Sequence, residues 1–201
     1  QNETPSMASV STPKALADHS QEFRRELIKV RDGVYVAVGF GPANSILVEG
    51  KDGAIIIDTL INLEEAKVVA AEFKKISTKP IQAIIYTHSH PDHINRTTAF
   101  LDAKTQKTIK IYAQGTRHFA QHHAGDARTA LTARAVRMYG MPLSPAEKVN
   151  IGIGADIDVQ ENSTFGMLPP NQLFEDTLSE TIAGIRVELM HAPGETDDQL
   201  F

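Results

Sequence analysis

Apolar and polar positions change rhythm along the first half of the chain, from strand-like alternation to helical spacing and back. Gly33 to Val38, Asn44 to Glu49 and Ala54 to Asp58 are short apolar runs separated by Gly-containing turns, which predicts three successive antiparallel strands. Asn62 then opens a helix, with Glu65 three residues on in a pattern close to a capping box. Leu63, Ala66, Val69, Ala70 and Phe73 share one face of that helix, and Lys74 and Lys75 suit its C-terminal dipole. Ile81 to Tyr86 is again apolar and rich in β-branched residues, the mark of a buried strand. Upstream, Phe23, Leu27 and Val30 recur at helical spacing, so an amphipathic helix is predicted over Ala15 to Val30.

Beyond Tyr86 the pattern predicts a helix over Ile94 to Leu101, a strand over Ile109 to Ala113, and a long helix from Thr116 to Tyr139 stopped by Gly140. Met141 to Ile157 carries Pro142, Pro145, Gly152 and Gly154 with little period and reads as a long functional loop. Phe174 to Leu178 and Ile185 to Met190 are predicted to pair around Ala183-Gly184. His118 and His122 stand four apart beside His123. The HExxH zinc pattern would need Glu where Phe119 stands, so these histidines read as surface or packing residues.

Composition narrows the class. At 201 residues one domain with a sizeable core is the natural count, and 41% hydrophobic with 22% charged residues is ordinary for a globular protein. A net charge of −5 argues against nucleic acid as a partner, which calls for clustered Lys and Arg. No apolar run approaches the roughly 20 residues of a membrane-spanning helix. Cysteine is absent, so a metal could be held only by His, Asp and Glu. Residues 1–14 are rich in Ser, Thr, Pro and Asn and are expected to form a flexible arm. The start at Gln1 fits a mature end left by a removed export signal, hence a periplasmic or secreted protein.

The chemistry concentrates in Thr87-His88-Ser89-His90-Pro91-Asp92-His93, where the strand Ile81 to Tyr86 ends. His88 and His90 are two apart, so in an extended segment they point to one side and can grip one ion. Pro91 bends the chain and turns Asp92 and His93 toward a neighbouring position. One pattern thus offers a pair of ligands to each of two adjacent metals. Imidazole and carboxylate suit zinc, at Zn–N distances of about 2.0–2.1 Å, although N and O donors also admit iron or manganese. Two metals together can activate water at neutral pH and stabilise both attacking and leaving oxygens.

HxHxDH after a strand resembles the signature of the metallo-β-lactamase fold, an αββα sandwich of hydrolases with one or two metals. The expected fold class is therefore α/β, a metallo-β-lactamase-like αββα sandwich incomplete at its C-terminal end, with residues 15–201 as the N-terminal part of a catalytic domain. In the resembling fold an Asp at the position of Asp58 stands behind the metal loop and holds it or a ligand in place. The alternative for Asp58 is ordinary turn chemistry. Most members bring a further ligand in a Gly-His-Thr segment, and the matching segment here is Gly194-Glu195-Thr196. Glu195 is a competent zinc ligand that makes the metal a weaker Lewis acid, or else a turn residue after Pro193-Gly194.

That substitution within His191-Ala192-Pro193-Gly194-Glu195-Thr196-Asp197-Asp198-Gln199 resembles the alkylsulfatase branch of the superfamily. Asn44-Ser45, Arg137 to Gly140 and the Gly-rich Val149 to Gly154 agree with it. The resemblance implies that His88, His90 and Glu195 bind one zinc and that Asp92 and His93 bind the second. A metal-bound hydroxide then acts on an alkyl sulfate ester, releasing inorganic sulfate and an alcohol. Tyr139 either approaches the substrate or packs on the core, and His191 either contacts substrate or orients a neighbour. Asn44 is placed with Asp58 and His191 among the supporting residues. Proteins of this branch are longer homodimers whose later residues complete the second zinc site, so this chain is expected to be the N-terminal part of one. The competing expectations are another hydrolase on the scaffold (lactonase, thioesterase or β-lactamase) and a catalytically silent metal-binding module.

Overall fold

Ile55 and Ile56 point to opposite faces of one strand, and each belongs to a different core. A computed structural model describes residues 12–115, 128–144, 147–154 and 166–201. A short helix α1 (Lys14–His19) and a 3-10 turn (Ser20–Phe23) lead into strands β1 (Glu26–Arg31), β2 (Val34–Val38), β3 (Ser45–Glu49) and β4 (Ala54–Ile57). Helix α2 (Leu63–Ile76) returns the chain to β5 (Ile81–Ile85), which is followed by the one-turn helix α3 (Pro91–Ile94). Strand β6 (Lys110–Gln114), helix α4 (Arg128–Met138) and strands β7 (Gln172–Phe174), β8 (Thr177–Ile182) and β9 (Ile185–Met190) complete the order.

Strands β1 to β7 form one sheet in sequence order, antiparallel from β1 to β4 and parallel from β4 to β7. Its one face is covered by α2, whose Ala66, Val69, Ala70 and Phe73 pack on Ile56, Ile84 and Ile111. Each large side chain buried this way is worth about 1.5–3 kcal/mol. On the other face Ile55, Ala83, Ile85 and Tyr112 meet Ile182 and Leu189 of the β8–β9 hairpin. The described layers are therefore helix, sheet and sheet, a mixed α/β fold. Because β4 and β5 are parallel and joined across α2, the segments leaving their C-terminal ends emerge side by side. That topology brings Asp58 to Thr87.

Several predicted elements changed. The helix expected over Ala15 to Val30 stops early, and Arg24 is extended at φ −62°, ψ 144°. Leu27, Ile28 and Lys29 then pair with Ala37, Val36 and Tyr35 as strand β1. Val30 is 60% exposed, so Phe23, Leu27 and Val30 do not share one buried face. The strand expected over Phe174 to Leu178 breaks at Glu175-Asp176, sending Phe174 into the large sheet and Leu178 into the hairpin. The helix expected over Ile94 to Leu101 is instead the end of α3 followed by a 3-10 turn, Thr97–Phe100.

Other predictions hold. Asn62 caps α2, its side chain accepting from the N–H groups of Glu64 and Glu65. Gly140 ends α4 at φ 61°, with Met141 N–H bonded to Val136 O at 3.0 Å and Gly140 N–H to Arg137 O at 3.4 Å, a Schellman closure that favours glycine. Ala183 and Gly184, at φ 53° and 75°, form the two-residue turn of β8–β9. His118, His122 and His123, Pro145 and residues 1–11 of the predicted arm lie outside the described residues.

Candidate metal centre

Thr87 to Ser89 form a bend shortly after β5, and His90, at φ −64° and ψ 143°, caps α3 with Pro91 as its first helical residue. His88 is 4% exposed, and its Nε2 is buried with no hydrogen-bond partner. Such an orphan is costly in a folded protein unless something binds it. Facing it, Glu195 Oε2 lies 3.9 Å from His88 Nε2, and Glu195 Oε1 lies 3.2 Å from His90 Nδ1. Donor atoms of the three residues all fall within 4.8 Å of one another. Ligands of one tetrahedral zinc stand about 3.3 Å apart, from bond lengths near 2 Å. The donor set and spacing therefore fit a single divalent ion.

Behind this cluster stands Asp58, 5% exposed and held at φ 60°, a left-handed conformation uncommon for any residue but glycine. Its Oδ1 accepts the Thr87 N–H at 2.8 Å, and its Oδ2 accepts the Thr87 hydroxyl at 2.7 Å and lies 2.7 Å from His93 Nδ1. The proton pattern follows. A carboxylate only accepts, so His93 carries its proton on Nδ1 and Thr87 spends its own proton on Asp58. The Thr87 oxygen is then an acceptor for His88 Nδ1, 3.1 Å away. Both imidazoles are thereby set to present an unprotonated Nε2 to the site.

Burial lowers the pKa of His88, and the neighbouring His93 and His90 lower it further, against the pull of Asp58 and Glu195. His93 is also opposed by burial, but its bond to Asp58 and the charges of Asp58, Asp92 and Glu195 outweigh that and raise its pKa. His93 Nε2 is 3.6 Å from Asp92 Oδ2, so these two residues form a second donor pair beside the first. Among the described residues the second pair has two ligands, one short of the three a catalytic zinc usually takes from protein.

The site is stitched to its surroundings. Thr59 N–H and hydroxyl both donate to the His93 carbonyl, at 2.6 and 3.1 Å. Leu200 N–H donates to Thr87 O at 2.9 Å, laying the Glu195 loop on the histidine loop. His191 Nε2 donates to Asp197 O at 2.6 Å and thus braces that loop. Asn44 is exposed before β3, while its neighbour Ser45 donates to the Asp58 carbonyl at 2.8 Å. Tyr139 sits at the C-terminal end of α4, its N–H bonded to Ala135 O at 2.9 Å. Sequence reasoning missed Thr87, although it directly precedes His88, because its role depends on a partner 29 positions away.

The family follows from a comparison with known sequences. Residues 38–200 match the model of the metallo-beta-lactamase superfamily. The chain belongs to the metallo-β-lactamase superfamily. Within it, the chain is 39% identical over 159 residues to a linear primary-alkylsulfatase of Pseudomonas sp. (strain ATCC 19151), covering 77% of this chain and 30% of that protein. A second linear primary-alkylsulfatase, from Pseudomonas sp., is 35% identical over 173 residues, covering 84% of this chain and 26% of that protein. Among solved structures, the stereoselective inverting sec-alkylsulfatase Pisa1 from Pseudomonas sp. superposes with a TM-score of 0.75 at 26% identity, covering 92% of this chain and 30% of that one. The chain thus spans under a third of the length of each of these three relatives.

Proposed function

We propose that this chain forms the first metal half-site of an alkylsulfatase, a hydrolase that converts an alkyl sulfate ester and water into an alcohol and inorganic sulfate. The observation that carries the reading is the convergence of His88 Nε2, His90 Nδ1 and the Glu195 carboxylate, with a carboxylate where most of the superfamily has imidazole. Its relatives at 35–39% identity bear alkylsulfatase names.

Zinc is the metal best suited to this N and O set, held by His88, His90 and Glu195, with a second ion on Asp92 and His93. When bound, it supplies Lewis acidity and activates water at neutral pH. The chain's own residues do the rest. Asp58 and Thr87 fix the tautomers of His93 and His88, and Asp92, beside His93, would offer a carboxylate to a second ion. Tyr139 is assigned to the substrate side by resemblance. A second ion on Asp92 and His93 would need further ligands, so activity is expected of the protein in which that site is complete. A homodimer in the periplasm or outside the cell accompanies this reading. No helix among the described residues is long and apolar enough to cross a membrane.

A substrate panel tests the proposal. Zinc-loaded full-length protein, with the second site complete, should release sulfate from alkyl sulfates and leave lactones, thioesters and β-lactams largely intact. Faster turnover of any of those three would replace the sulfatase reading with that activity. Tight metal binding without hydrolysis of any ester, even in the full-length protein, would favour a metal-binding module, the reading that the two-ligand second site supports.

A further inference from the structure

We infer that Gln199 is a positioning residue for Glu195, and that Gly194 lacks a side chain in order to admit it. The inference rests on the metal-site reading above. Glu195 has a side chain 66% exposed, on a loop outside any helix or strand. Left to itself, the loop that carries such a carboxylate would sample several backbone conformations, and a ligand that must be ordered on binding costs affinity. Something has to hold it.

Gln199 Oε1 accepts the backbone N–H of Glu195 at 2.8 Å, closing the loop through the residue that carries the ligand. The amide reaches that N–H by lying against Gly194. A Cβ on Gly194 would stand 2.5 Å from Gln199 Oε1, closer than atoms pack, and a tight 3.1 Å from its Cδ, so the amide would have to move. Gly194 is not among the residues of positive φ, so the close approach, rather than backbone freedom, calls for glycine here.

Gln199 is itself anchored. Its carbonyl accepts Ala192 N–H at 2.9 Å, and the next residue, Leu200, donates to Thr87 O at 2.9 Å. The path from the Glu195 backbone therefore runs through the Gln199 amide to the rung beside His88. His191 also braces the loop, but at the carbonyl of Asp197, two residues beyond the ligand. Gln199 alone among these touches Glu195. Its side chain thus registers the backbone that carries the carboxylate against the two histidines, which stand on a separate part of the chain.

The test measures zinc affinity by competition with a chromophoric chelator, alongside thermal unfolding of the metal-free protein. Gln199→Leu should weaken zinc by about tenfold, the lower end of the range for residues that orient metal ligands. Gly194→Ala should do the same by expelling the amide. The double substitution should be no worse than either single one, because both remove one contact. Gln199→Glu keeps an acceptor oxygen and should retain most of the affinity. Parental affinity in Gln199→Leu, or additive losses in the double variant, would overturn the inference while leaving the metal site standing. So would a loss of affinity that merely follows unfolding of the metal-free protein. Parental affinity in Glu195→Ala would instead overturn the site reading, and the inference with it.

Discussion

One oxygen of Asp58 serves both Thr87 and His93, at 2.7 Å from the Thr87 hydroxyl and 2.7 Å from His93 Nδ1. Through this shared atom the end of β4 dictates the orientation and protonation of side chains on the loop after β5. The left-handed backbone at Asp58, φ 60°, is what aims the carboxylate across. Strain of this kind persists where surrounding contacts over-determine it, and here those contacts are the site itself.

A pH signature follows for the metal-free protein. Burial works against charge on His93, yet Asp58 and the nearby carboxylates raise its pKa in the folded state. A raised folded pKa gives stability that is full below the unfolded value of about 6.5 and is lost as pH rises through the folded value. Asp58→Asn removes the partner charge. The stability gap between parent and variant, measured by urea unfolding, should be wider at about pH 5.5 than at about pH 8.5. An equal gap at both would show that the pair carries no such charge.

Thr87 is the second lever. Thr87→Val keeps the shape but deletes the hydroxyl that accepts from His88 Nδ1 and donates to Asp58. Zinc affinity should fall about 10–100-fold, as for other partners of metal-ligating histidines. Thr87→Ser restores the hydroxyl and should recover most of the loss. Failure of serine to rescue would make the methyl group, and so packing, the important feature.

Glu195 is exposed, so its removal should separate binding from folding. Glu195→Ala is expected to weaken zinc by more than about 100-fold, beyond the range for residues that only orient ligands. Its unfolding curve without metal should match the parent's. Glu195→His supplies the imidazole used by most of the superfamily and should keep the ion. Titration with a chelator and circular dichroism would check both expectations.

The core makes the opposite prediction. Phe73 is 4% exposed beneath α2 and touches the face of the sheet away from the β8–β9 hairpin. Phe73→Ala should cost about 3–5 kcal/mol of stability through the lost burial and the cavity left behind. Zinc affinity of the folded fraction should be unchanged. A matching loss of affinity would show that α2 and the metal loop are coupled.

How much of this was legible in the sequence depends on how local each signal is. His88, His90, Asp92 and His93 are crowded into six positions after an apolar strand, so their chemistry could be read directly. Helix α2 was equally plain, since its cap, apolar face and C-terminal lysines agree. Strand β1 was misread because Phe23, Leu27 and Val30 fall at helical intervals by coincidence. The ladder from Leu27 to Ala37 that decides the matter is a tertiary fact. Gln199 and Thr87 were silent for the same reason. Nothing in their neighbours' identities announces that one will meet Glu195 or the other Asp58.

The most direct test of the account is sulfate release from a long-chain alkyl sulfate as zinc is added back to the metal-free full-length protein, in which the second site is complete, with His88→Ala in parallel. The account predicts sulfate appearing in step with bound zinc in the parent and none in the variant, whose buried Nε2 is gone. Equal sulfate release from both, or from parent without metal, would contradict it.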